Sequence, residues 1–154
     1  MPTITRTRHS TADHTRLGQA LDLLDRSHGS LMQACHAEHT TDRYVAAHLG
    51  ALRAAAALMA ARPAPTRRQA AIRNVWAHLW VIAPELGEWS DYFALAGKRR
   101  AEVEAGAVPS RREADDLLRS AEAFICLVQG ALGLPVDLAL SQTPLVASAC
   151  HRSS

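Results

Sequence analysis

The chain of 154 residues has little cysteine, few aromatics and almost no lysine. Its three cysteines, Cys35, Cys126 and Cys150, are odd in number, widely spaced and in no C-x-x-C pair. That excludes a cystine-stapled scaffold and a zinc ribbon, and it suits a reduced, cytoplasmic protein. No uninterrupted apolar run reaches the roughly 18 residues of a membrane span. The opening MPTITRTRHSTADHT lacks the apolar segment of a secretory signal. No Asn-Gly or Asp-Gly joins alternating apolar runs, so strands are not expected. The G-x-S-x-G elbow, the G-K-[ST] phosphate loop and the G-x-G-x-x-G fingerprint are all missing, which leaves no cofactor to expect. Lys98 is the only lysine among 17 cations, and with the alanine richness this arginine bias fits GC-rich coding. A net charge of +2 and a pI near 8.6 are too small to single out nucleic acid by global field.

What is present is a helical pattern. The chain is 48% apolar and 21% charged, enough for one cored domain. The expected fold is all-α, an up-and-down helical bundle of four to five helices over residues 11–135. A flexible leader over 1–10 and a mobile C-terminal tail over 136–154 are expected to flank it. Leu17, Ala20, Leu21 and Leu24 mark a first helix, and Gly29-Ser30 is expected to interrupt it. A second helix over 42–62 carries Val45, Leu49, Leu52, Ala56 and Met59 as its apolar stripe. Beside that stripe, Ala47, Gly50, Ala51, Ala54 and Ala55 form a small-residue face that admits a close neighbour. Pro63 and Pro65 end it. Thr66 can cap a third helix carrying Ile72, Val75, Trp76, Leu79, Val81 and Ile82, and Pro84 kinks it or starts the next. Ser110 and Glu113 form an S-x-x-E capping box ahead of Ala114, Leu117, Leu118, Ala121, Phe124, Ile125 and Val128.

Three groups of residues bear on chemistry. The stretch His36–Asp42 holds possible metal ligands but matches no zinc spacing, and a solvated helix end explains it. Trp76 and Trp89, with Tyr92 and Phe93, have core spacing, whereas Trp80 lies off the stripe and is expected at a subunit interface. Two Arg-x4-His pairs remain, Arg43 with His48 and Arg73 with His78. Arginine clamps a phosphate and histidine moves a proton near neutral pH. Together they suit metal-free attack of a 2′-hydroxyl on a phosphodiester. Chance alone supplies about two or three such spacings in so arginine-rich a chain, and positions i and i+5 lie about 140° apart on a helix.

Three blocks carry a family resemblance: RYVAAHLGALRAAAALMAARP (43–63), VWAHLWVIAPELGEWSDYFALAGKRRAEVEAG (75–106) and SRREADDLLRSAEAFI (110–125). They resemble a small actinobacterial subfamily of the HEPN superfamily, the higher eukaryotes and prokaryotes nucleotide-binding domains. The resemblance implies a helical bundle that commonly forms a homodimer. In many members an Arg-x4–6-His motif from both subunits makes a metal-independent ribonuclease site in the dimer cleft. Others bind nucleotides, RNA or a protein partner without catalysis. Carried over, the catalytic residues are Arg43 and His48, or Arg73, Asn74 and His78, with Asn74 the polar residue often found after the arginine. In the superfamily the motif usually opens a late helix, and here the late helix over 111–132 contains no histidine.

Overall fold

The structure is a computed structural model that describes residues 3–63 and 65–134, with side chains from residue 11 onward. The expected tail over 136–154 lies outside the described residues. Among the described residues six α-helices follow one another: α1 (Thr3–His36), α2 (Thr40–Ala61), α3 (Arg67–Ala70), α4 (Val75–Ile82), α5 (Gly87–Glu104) and α6 (Arg111–Ala131). A 3₁₀ turn, Pro84–Leu86, joins α4 to α5. No strand occurs among the described residues, so the all-α bundle is the fold.

Two helices differ from the sequence reading. α1 begins at Thr3, so residues 3–10, expected as a leader, are helical, and it runs through Gly29-Ser30 without a break. The interior glycine costs about 1 kcal/mol against alanine, and packing along the helix outweighs that. Ala20, Leu24, Ser27, Leu31 and Ala34 recur every three or four residues on its buried face. Leu17 and Leu21 turn outward instead. The second difference lies over 67–82, where one expected helix is divided. Thr66 does form a capping box with Gln69, but α3 lasts a single turn. Asn74 then starts α4 afresh by accepting from the N–H groups of Trp76 and Ala77.

α2 is the centre of the bundle, packed against α1, α6, α5 and α4. Its small-residue face is the more deeply buried one. Ala47, Ala51, Ala54 and Ala55 are fully buried, while Val45, Leu49, Leu52, Ala56 and Met59 are only half-buried. α2 is long and apolar enough to cross a membrane by length and composition, yet 56% of its most apolar window is buried inside the bundle. The close neighbour admitted by the small residues is α1 of the same chain. Ser27 donates to the Gly50 carbonyl at 2.7 Å, and Arg53 donates to Ser30 Oγ at 2.7 Å.

With α2 so slender, core volume comes from the other side. Phe93 lies 5.2 Å from Trp76 and 5.1 Å from Phe124, centroid to centroid, and Trp89 completes the cluster. All seven apolar positions read on the last helix are buried in α6. The Ser110–Glu113 capping box is present, and Glu113 is also held by Arg99 of α5 at 2.7 Å.

The close α1–α2 seam is testable. A Cβ at Gly50 would lie 3.4 Å from the Ser27 carbonyl oxygen and 3.6 Å from Ser30 Cβ, so one methyl fits and a branch does not. Gly50→Ala should be neutral or stabilising by up to about 1 kcal/mol. Gly50→Leu should destabilise by about 1–3 kcal/mol through overpacking, both read by chemical denaturation. Equal stability of the two variants would refute the close seam.

Candidate functional site

The two Arg-x4-His pairs have different fates. Arg43 sits in the first turn of α2 with its side chain 9% exposed. Its Nε donates to the Ala34 carbonyl at 3.2 Å and its Nη2 to the Ala37 carbonyl at 3.0 Å. Its Nη1 donates to Asp115 of α6 at 2.6 Å. The last carbonyls of a helix have no partner within it, so this guanidinium caps α1 and ties α6 to it. It forms part of the lining of a cavity of about 510 Å³ with Cys35, His36, Glu38, Thr40 and Arg111. Two guanidinium groups and the Glu38 carboxylate thus share one lining, with Asp115 on Arg43.

His48 faces a different helix. It is 3% exposed, lies edge-on to Trp76 and Phe93 and passes 3.3 Å from the place where a Cβ would stand on Gly97. Its Nε2 lies 3.1 Å from the Phe93 carbonyl and its Nδ1 3.4 Å from Arg100 Nη1. A carbonyl only accepts and a guanidinium only donates. Both neighbours therefore specify one neutral tautomer, with the proton on Nε2. Burial pushes the imidazole below its ordinary range; the Phe93 carbonyl opposes that shift and Arg100 adds to it. Arg43 and His48 thus point to separate partners, and the side chains that would do chemistry are engaged in holding the fold.

Arg73, Asn74 and His78 occupy an open edge. Arg73 lies in the loop before α4 and is exposed, and His78 is half-buried in the first turn of the helix. Asn74 is the N-cap, with extended backbone at φ −85° and ψ 121°. Because Arg73 precedes the cap, the 140° separation of i and i+5 on a helix does not apply to this pair. The asparagine side chain is spent on the helix N-terminus, so its part is to fix where the loop stops and α4 begins. The next turn of α4 is apolar on its outer side, with Trp80 45% and Val81 48% exposed. Trp80 lies over Gly87, where an added Cβ would be 2.6 Å from its ring, and its Nε1 donates to Asp91 at 2.8 Å.

The His36–Asp42 stretch spans the end of α1 and the start of α2. Among the described residues no group of three His, Cys, Asp or Glu side chains is placed to hold a metal ion. Sequence reasoning missed Arg100 as the partner of His48, since nothing local joins positions 52 residues apart. It also missed Asp115 as the partner of Arg43, 72 residues away along the chain.

Comparison with known proteins adds one finding. A family model described as SAV_6107-like HEPN matches residues 34–129, from the end of α1 through nearly all of α6. No curated protein and no solved structure matches the chain.

Two outcomes follow from the buried pair. Arg43→Ala would strip the Ala34 and Ala37 carbonyls and Asp115 of their donor, at a cost of about 2–4 kcal/mol. For His48 the folded-state pKa lies below the unfolded one, so the unfolded chain takes up the proton more readily. Stability should therefore fall as pH drops below about 6.5, the ordinary histidine value. His28, also lowered by burial, contributes in the same direction. His48→Gln keeps a donor for the Phe93 carbonyl and should show a shallower acid loss in urea denaturation. A loss as steep as wild type's would contradict this account.

Proposed function

The chain belongs to the SAV_6107-like HEPN family, and from that premise we propose that it is an RNA-directed domain whose working pair is Arg73 and His78. The observation that carries the reading is the contrast in accessibility. The Arg43–His48 pair is buried and bonded, whereas Arg73 is exposed at the head of α4 with His78 half-buried behind it. The reaction is metal-independent phosphodiester cleavage. His78 takes the proton from a 2′-hydroxyl as that oxygen attacks the adjacent phosphorus, and a proton returns to the departing 5′-oxygen. Arg73 holds the non-bridging oxygens as their charge develops.

The active unit in this reading is a two-fold homodimer, the commonest closed oligomer. The small-residue face of α2 is taken up by α1 inside the bundle, so the axis in this reading lies at the 73–89 segment, where Trp80 is exposed. Trp80 and Val81 give it an apolar surface beside His78, and a two-fold axis there brings two Arg-His pairs toward one cleft. A second reading draws on the same exposed face: a dimerisation or protein-docking module that does no chemistry.

Expression toxicity and cleavage of bulk RNA separate them. Wild type should cleave, and His78→Ala and Arg73→Ala should each lose about 10²-fold or more in rate while folding normally. Wild type that leaves RNA intact would leave the docking module as the function. Sedimentation at micromolar concentration should show a dimer, and Val81→Asp a monomer with reduced cleavage. A wild-type monomer of 16.6 kDa would remove the cleft and the cleavage reading with it.

A further inference from the structure

One segment has a charge pattern that the Arg-His pair does not use. Between Asp42 and Glu85 the chain contains no acidic residue but six arginines: Arg43, Arg53, Arg62, Arg67, Arg68 and Arg73. The first three are absorbed by the bundle. Arg43 caps α1, Arg53 donates to the Arg26 carbonyl and to Ser30, and Arg62 has its Nε buried. The other three are exposed and, among the described residues, form no salt bridge. Arg16, Arg99, Arg100, Arg112 and Arg119 by contrast each have a carboxylate within 4 Å, while exposed Arg26 of α1 stands apart from this segment.

α3 has no packing role that explains these residues. None of its four residues is buried, yet the turn is fixed at both ends of its capping box by Thr66 and Gln69. A single capped turn therefore presents Arg67 and Arg68 to solvent, and Arg73 follows five residues later at the head of α4. Exposed guanidinium groups within seven residues of chain, with no carboxylate in the segment to repel an anion, suit the repeated phosphates of a single strand.

We infer that the α3 corner is a backbone-binding subsite, in which Arg67 and Arg68 hold phosphates flanking the one at Arg73 on a single-stranded RNA. This rests on the RNA-directed reading above and adds to it the path of the strand, from the head of α4 onto α3. The subsite supplies affinity and no base preference, because phosphate contacts carry no sequence information.

The experiment is fluorescence anisotropy of a labelled, unstructured single-stranded RNA over a salt series. Its proteins are wild type, Arg67→Ala/Arg68→Ala and the charge-matched Arg112→Ala/Arg119→Ala. The last pair removes two exposed arginines of α6. Loss of two phosphate contacts lowers the slope of log K against log salt by about 1.4, or on the order of 25-fold in affinity at 0.1 M salt. The α3 variant should show that loss while the α6 variant loses little. If the α3 and α6 variants weaken equally, the effect is one of net charge and the subsite falls. If the α3 variant binds like wild type, the subsite falls while the RNA-directed reading stands. If wild type binds no RNA, both fall. Unchanged circular dichroism and urea midpoint for the α3 variant establish that its fold is intact, as expected for a turn that buries nothing.

Discussion

Everything in the bundle depends on how little side-chain volume α2 carries. Its alanine and glycine face lets α1 come close enough for Ser27 to reach a backbone carbonyl of α2. Interiors are packed to crystal-like density, so the space that α2 does not fill must be filled by something else. The large rings of α4, α5 and α6 fill it, meeting at Phe93. Slender on one side and aromatic on the other, the core leaves α4 a narrow strip of contact, Trp76 and Leu79 alone fully committed. The exposed edge on which the proposed chemistry rests follows from that arrangement.

The same Arg-x4-His spacing produces opposite results at its two occurrences, and the cause is position relative to a helix start. Arg43 lies inside the first turn of the most central helix. Its guanidinium meets the carboxyl end of α1 and a carboxylate of α6, while five residues on His48 faces α5. Arg73 lies outside its helix, separated from it by the capping asparagine, so it answers to loop geometry and to solvent. A spacing in sequence says nothing of this difference until the helix boundary is known.

Where the sequence was legible, a local signal agreed with packing. The Ser110–Glu113 box and the stripe from Ala114 to Val128 define α6 from cap to core, since both periodicity and propensity point the same way. α1 shows the opposite case. Gly29-Ser30 is a reasonable local stop, but a buried face repeating every three or four residues over the same stretch is worth more than one glycine. On α2 the larger residues read as the core stripe because hydrophobicity scales reward size. Close approach of a neighbouring helix rewards smallness instead, and that preference is visible only once α1 is in place. The partners of the buried polar groups were illegible for a related reason. Asp115 for Arg43 and Arg100 for His48 come from distant parts of the chain, and the sequence carries no code for which loop brings them back.

Trp80 shows how an absent atom shapes a surface. Gly87 has ordinary helical backbone angles, φ −58° and ψ −43°, so it is not there for conformational freedom. What its bare backbone supplies is a flat seat for the indole, which would collide with even a methyl group. The contour of the α4 edge is thus set on α5, by a hydrogen atom where most residues carry carbon. In the language of surface design, position 87 is a handle on shape: one added carbon there would push the indole ring of Trp80 off its seat.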